Sequence, residues 1–158
     1  MPKKEKLLLL VCTGNTCRSP LAQALAAHLL QVEGLSGWTV ASAGLAALNG
    51  MSATRQAITA AQELGLDLSA HQSRSLTEEL AAEAELVLVM TQAHKDLLVK
   101  EMPQYAAKVY TLKEFVGQAG DVADPFGGSV AVYMETAQEL QGLLQLVINK
   151  LAALDDQE

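Results

Sequence analysis

The apolar run Lys6-Leu7-Leu8-Leu9-Leu10-Val11 passes directly into Cys12-Thr13-Gly14-Asn15-Thr16-Cys17-Arg18-Ser19-Pro20, and this stretch decides the fold. Continuous apolar residues bounded by a turn signal read as a strand buried on both faces. From Pro20 to about Gly34 the chain is rich in Leu and Ala with no internal Gly or Pro, which predicts a helix. Pro20 suits a first helical turn, where its missing N–H costs nothing, and Ser19 is the expected N-cap. Gly14 and Asn15 are the loop residues that best tolerate positive φ. The segment therefore reads as buried strand, curled polar loop and helix.

The same alternation continues outward. Strands are expected at Trp38–Ala43, Glu85–Met90 and Lys108–Leu112. Helices are expected at Ala53–Leu64, Gln92–Glu101 and from Ser129 to about Leu154. With Lys6–Val11 this gives an α/β fold, a four-stranded parallel sheet with helices on both faces. No repeat, low-complexity tract or linker interrupts it, so residues 1–158 are expected to form one domain. Such sheets place ligands at the carboxyl ends of their strands.

Half of the 158 residues are hydrophobic, 18% are charged, and the formal charge is −7. Lys3-Lys4-Glu5-Lys6 is the strongest basic cluster, which argues against a nucleic-acid partner. Arg18, Arg55 and Arg74 are the three arginines, so an anion site has to be local and built largely from backbone. Leu7 to Val11 is too short for a signal sequence, and no stretch approaches the ~20 apolar residues of a membrane helix. Neither a secretory nor a membrane location is expected. Cys12 and Cys17 are too few for a disulfide scaffold or a four-thiolate zinc site, which suggests a cytoplasmic protein with reactive thiols and no metal.

Cys12 opens the loop and Arg18 closes it, with five residues between them. Curled amides plus a helix N-terminus make an anion cradle, and a guanidinium can fork two oxygens of a bound phosphate. A cysteine at its floor is favoured as the thiolate, a nucleophile that needs no neighbouring base. The Ser19 hydroxyl is placed to donate to that sulfur. The Gly-Lys-Ser/Thr ending of a nucleotide-triphosphate loop is absent. The alternative is an ordinary strand-to-helix turn with a buried cysteine. The late segment Asp121-Val122-Ala123-Asp124-Pro125-Phe126-Gly127-Gly128 is by itself a turn; facing a Cys–Arg loop, it becomes a candidate proton donor.

Cys12-x5-Arg18-Ser19 near the start of an α/β chain of this length resembles the low-molecular-weight protein tyrosine phosphatases, and the resemblance spans nearly the whole chain. It implies a cysteinyl-phosphate intermediate on Cys12. The phosphoryl group would be held by the Thr13, Gly14, Asn15, Thr16, Cys17, Arg18 and Ser19 stretch and by the Arg18 guanidinium. The leaving group would be protonated by Asp124, which rather than Asp121 directly precedes proline. It implies that Ser42, in Ser42-Ala43-Gly44, and His71 support Asn15, with Ser19 at the nucleophile. It also implies that Cys17 can pair reversibly with Cys12. His28 and His94 have no such context and are expected on the surface or on a helix face.

Thr16 stands where tyrosine phosphatases of this family commonly carry a bulky aliphatic residue, and Pro125 is followed by Phe126 and two glycines. This pattern is similar to the bacterial protein arginine phosphatase branch. It implies that Thr16 and Phe126 set specificity for protein phosphoarginine, with phosphotyrosine as the alternative. The expected partners are a phosphorylated protein and the product inorganic phosphate, with no cofactor, nucleic acid or membrane. A thioredoxin-linked arsenate reductase would need a cysteine after Cys17. A sugar-transport phosphocarrier has no use for Arg18 or Asp124, and a phosphate-binding or redox module has no use for the acid.

Overall fold

A computed structural model describes residues 5–156. Lys3 and Lys4 of the basic cluster, and both ends of the expected 1–158 domain, lie outside the described residues. Strands β1 (Lys6–Cys12), β2 (Trp38–Gly44), β3 (Ala84–Val89) and β4 (Val109–Thr111) form one parallel sheet in the order β2-β1-β3-β4. The helices are α1 (Arg18–Val32), α2 (Arg55–Glu63), α3 (Glu78–Glu83), α4 (Gln92–Glu101), α5 (Leu112–Phe115) and α6 (Val130–Asp155), with a 3-10 segment at Pro103–Lys108. None of the described helices is long and apolar enough to cross a membrane.

The all-apolar β1 serves two cores. Leu8 and Leu10 pack with Leu21 and Leu25 of α1, Ala57 of α2 and Leu140 and Leu144 of α6. Leu9 and Val11 point the other way, with Ala41, Ala43, Val87, Val89 and Leu98 of α4. Period-2 alternation inside a continuous apolar run thus fills both faces of the sheet. Each fully buried leucine stabilises the fold by about 1.5–3 kcal/mol. Helix α6 buries Tyr133, Ala137, Leu140, Leu144, Val147 and Leu151 along one stripe.

The chain steps from β1 to β2 on one side and to β3 on the other, so the sheet's topological switch lies at β1/β3. The loop Thr13–Cys17 opens there, at the carboxyl end of β1. Cys12 is in register with Gly44, and Val11 with Val89.

Four sequence expectations are corrected. Ser19 is not the N-cap of α1; the helix starts at Arg18 behind Cys17, and the Ser19 hydroxyl turns to Cys12. Gly14 does not have positive φ, whereas Asn15 does, at 57°. The second helix starts at Arg55 rather than Ala53, because Thr54 caps it. The last strand stops at Thr111, whose hydroxyl accepts the Glu114 N–H while the Glu114 carboxylate reaches back to the Thr111 N–H; this capping box starts α5.

Gly44 is where the loop leans on β2. A Cβ there would lie 2.5 Å from the Thr13 carbonyl oxygen and 2.8 Å from Ala47 Cβ. Gly44→Ala is therefore expected to lower stability by about 1–3 kcal/mol in urea denaturation, with the loop displaced.

Candidate active site

Among the described residues, five of the six α-helices begin with a hydroxyl side chain that accepts a backbone N–H: Thr54, Thr77, Thr91, Thr111 and Ser129. Helix α1 is the exception, since Cys17 makes no side-chain cap. Its first N–H groups are left without that partner, at the end of the helix where the dipole is positive. An anion is the natural partner for such an end.

The loop that leads into α1 is held by Asn15, the one non-glycine residue with positive φ among the described residues, and fully buried. Its Nδ2 donates to Ser19 Oγ at 2.8 Å and to Ser42 Oγ at 2.9 Å, and Ser42 donates onward to Gln23 Oε1. Its Oδ1 accepts the Arg74 N–H at 3.0 Å, and its carbonyl accepts His71 Nε2–H at 2.8 Å. The carbonyls of Cys12 and Thr13 accept the N–H groups of Leu45 and Ala46. Ser42 and His71 are thus both hydrogen-bonded to Asn15.

Because Ser19 Oγ accepts from Asn15, its proton is free for Cys12 Sγ, 2.9 Å away. This is a polarised relay that ends on the buried sulfur. Arg18, 4% exposed, donates from one nitrogen to the Val122 carbonyl at 2.8 Å and sets the other 3.7 Å from Asp124 Oδ2. Val122 N–H is in turn bonded to the Met90 carbonyl at the end of β3. Asp124 is half exposed, and its Oδ1 accepts the Phe126 N–H at 3.1 Å, an Asx turn that fixes the carboxylate ahead of Pro125. Asp121 instead binds the Gln92 N–H at the start of α4.

Cys12, Thr13, Gly14, Thr16, Cys17 and Arg18 line one cleft with Asp124 and Phe126, of about 220 Å³. A larger concavity of about 500 Å³ between α1 and β2 has no ionisable side chain in its lining, so size alone does not mark the site. Cys12 and Cys17 are both free thiols.

Sequence reasoning missed three partners. Cys17 Sγ lies 3.2 Å from the hydroxyl of Tyr133 on α6, whose phenol is pushed up to about 12, chiefly by burial. Thr54 N–H binds the Thr16 carbonyl and ties α2 to the loop. The expectation for His94 is also overturned: it is 8% exposed, and its Nε2 lies 2.8 Å from Thr13 Oγ1. Burial first, then the Arg18 guanidinium, hold its pKa below the ordinary histidine value, against Asp124 and Asp121. His28 is exposed on α1, as expected. The signal for His94 was its place at the third position of a Thr-capped helix that follows a buried strand.

The model of the family described as low molecular weight phosphotyrosine protein phosphatase matches residues 7–157. A protein-arginine-phosphatase of Bacillus subtilis is 46% identical over 145 residues, 91% of this chain and 95% of its own length. The low molecular weight protein-tyrosine-phosphatase PtpB of Staphylococcus epidermidis is 35% identical over 140 residues, 89% of this chain and 95% of its own length. Among solved structures, a mutant of the YwlE arginine phosphatase with a phosphorylated active site serine superposes with a TM-score of 0.90 at 45% identity, covering 92% of this chain and 95% of that one.

Asn15→Ala is expected to cost about 2–4 kcal/mol, from the positive φ and the orphaned buried partners together. Asn15→Gly should recover only the backbone share. Chemical denaturation of the two variants separates the terms.

Proposed function

Because the chain belongs to the low molecular weight phosphotyrosine protein phosphatase family, we propose that it hydrolyses phosphoarginine in proteins through a phosphoryl intermediate on Cys12. The observation that carries the reading is the convergence of the uncapped start of α1, the Cys12 sulfur and the buried Arg18 guanidinium on a cleft that Asp124 shares.

In the first step Cys12 Sγ attacks phosphorus, the bond to the guanidine nitrogen breaks, and Asp124 gives that nitrogen its proton. Amides of the Thr13–Ser19 stretch and the Arg18 fork stabilise the charge on the equatorial oxygens. In the second step water attacks phosphorus, Asp124 takes its proton, the sulfur–phosphorus bond breaks, and inorganic phosphate leaves. Only side chains and backbone are used, so no cofactor or metal enters. A formal charge of −7, with no basic run in the sequence longer than Lys3-Lys4-Glu5-Lys6, supports a phosphorylated protein as partner rather than nucleic acid or a membrane surface. Two free thiols support a cytoplasmic location. Reversible pairing of Cys12 with Cys17, which line the same cleft, belongs to the same reading.

Arginine is favoured over tyrosine as the carrier because Thr16 puts a hydroxyl, not an aliphatic wall, beside the cleft. Asp124 offers a carboxyl group that can donate its proton to the leaving nitrogen while its carbonyl oxygen accepts from a guanidino group rich in N–H donors. The arginine phosphatase relative is also the more similar of the two. Phe126, with 71% of its surface exposed at the cleft, is the feature that favours the phosphotyrosine reading, since an aromatic wall suits a phenyl ring.

Kinetics on a phosphoarginine protein beside a phosphotyrosine peptide, under reducing conditions, test both. Phosphoarginine should have the higher kcat/KM, and Thr16→Ile should move preference toward phosphotyrosine. Cys12→Ser should abolish turnover, and Asp124→Asn should lower kcat by about 10²–10⁴. Unchanged preference in Thr16→Ile would refute the arginine assignment, and turnover by Cys12→Ser would refute the nucleophile.

A further inference from the structure

The Asn15–Ser19–Cys12 relay has a counterpart on the opposite side of the loop. Thr13 follows the nucleophile, is exposed, and lines the cleft; its Oγ1 lies 2.8 Å from Nε2 of the buried His94. His94 Nδ1 is buried with no hydrogen-bond partner among the described residues. Either tautomer satisfies the contact with Thr13, but they differ at Nδ1. A proton there would be an orphaned buried donor, which costs about 1–3 kcal/mol. A bare lone pair is the more tolerable orphan. The neutral ring with its proton on Nε2 therefore donates to Thr13. The groups that face the ring agree with a neutral form: burial and Arg18 disfavour a second proton, and they outweigh Asp124 and Asp121. His94 also stands in the first turn of α4, where the helix dipole opposes positive charge.

A hydroxyl that accepts from an imidazole N–H keeps its own proton for another acceptor and becomes a better donor. We propose that His94, as the Nε2–H tautomer, is a positioning residue that turns the Thr13 hydroxyl into a directed donor to a phosphoryl oxygen in the cleft. This deepens the phosphatase reading and rests on it only in taking a phosphoryl oxygen as the ligand. The placement has a structural logic. The same turn of α4 that carries His94 receives the Asp121 carboxylate at the Gln92 N–H, 2.8 Å away. One helix end thus joins the loop of Cys12 and Thr13 to the loop that carries Asp121 and Asp124.

The test uses the full chain with inorganic phosphate as probe, measured by calorimetry, beside steady-state kinetics. His94→Leu and Thr13→Val should each weaken phosphate about tenfold, the scale of one hydrogen bond to a charged group. The double variant should be no weaker than either single one, because each abolishes the same directed donation from the Thr13 hydroxyl to phosphate. His94→Gln, whose amide N–H can replace Nε2–H, should recover most of the affinity, which a purely space-filling role for His94 would not predict. Long-range ¹H–¹⁵N spectra of the wild-type protein should find the ring proton on Nε2 with Nδ1 bare. Wild-type phosphate affinity in His94→Leu, additive losses in the double variant, or a proton on Nδ1 would each overturn the proposal. If phosphate binding depends on His94 but no phosphorylated protein is hydrolysed, the phosphatase reading fails and this one stands. If hydrolysis proceeds and phosphate binding ignores His94, the reverse holds.

Discussion

Asn15 in a left-handed conformation is the constraint on which the site depends. No β-branched or bulky residue holds that conformation cheaply. Here it is maintained because every polar atom of the side chain is bonded: both Nδ2 protons to serines, Oδ1 to the Arg74 N–H. Those partners belong to three separate parts of the chain: α1, β2 and the segment before α3. The curled loop therefore depends on the packed sheet and helix around it. Once curled, it brings the sulfur at the end of β1 next to a helix start that no side chain has capped. A favourable environment for an anion can thus be built from backbone geometry in a chain of formal charge −7.

Arg18 couples this loop to Asp124. A buried guanidinium needs all its donors placed, and one of them goes to the Val122 carbonyl, which is itself strapped to the end of β3. The Arg18 guanidinium and the loop that presents Asp124 are therefore one hydrogen-bonded unit. The 3.7 Å approach to Asp124 involves a half-exposed carboxylate, so it contributes direction more than stability. The carboxylate is left in reach of solvent, which suits the proton transfers proposed for it.

The parts of the fold that were legible in the sequence are those whose signal is local. The five apolar residues from Leu7 to Val11 dictate a buried strand, and the Leu/Ala run after Pro20 a helix. The pairing of Cys12 with Arg18 follows from spacing alone, and Ser42 and His71 came from the family resemblance. What stayed hidden depends on neighbours distant in sequence. Ser19 has ideal N-cap chemistry, but Asn15 and Cys12 compete for its hydroxyl and win, so the helix starts two residues earlier, at Arg18, without a side-chain cap. Helices α3 and α5 are too short for periodicity to register, and each is nucleated by one threonine cap. His94 sits on a helix of low amphipathic contrast, and only the fold shows that its ring faces Thr13, 81 positions away. The same holds for Tyr133 and Cys17, brought together by the packing of α6 on α1.

The central claim is that the phosphoryl group passes through Cys12. Rapid acid quench of the chain mixed with a phosphoarginine protein, followed by peptide mass analysis, tests it most directly. One phosphoryl group on the peptide that carries Cys12, forming and decaying within a turnover, is the predicted result. A covalent phosphoryl group on His71, His94 or Cys17 instead, or turnover with no labelled peptide at any quench time, would contradict it.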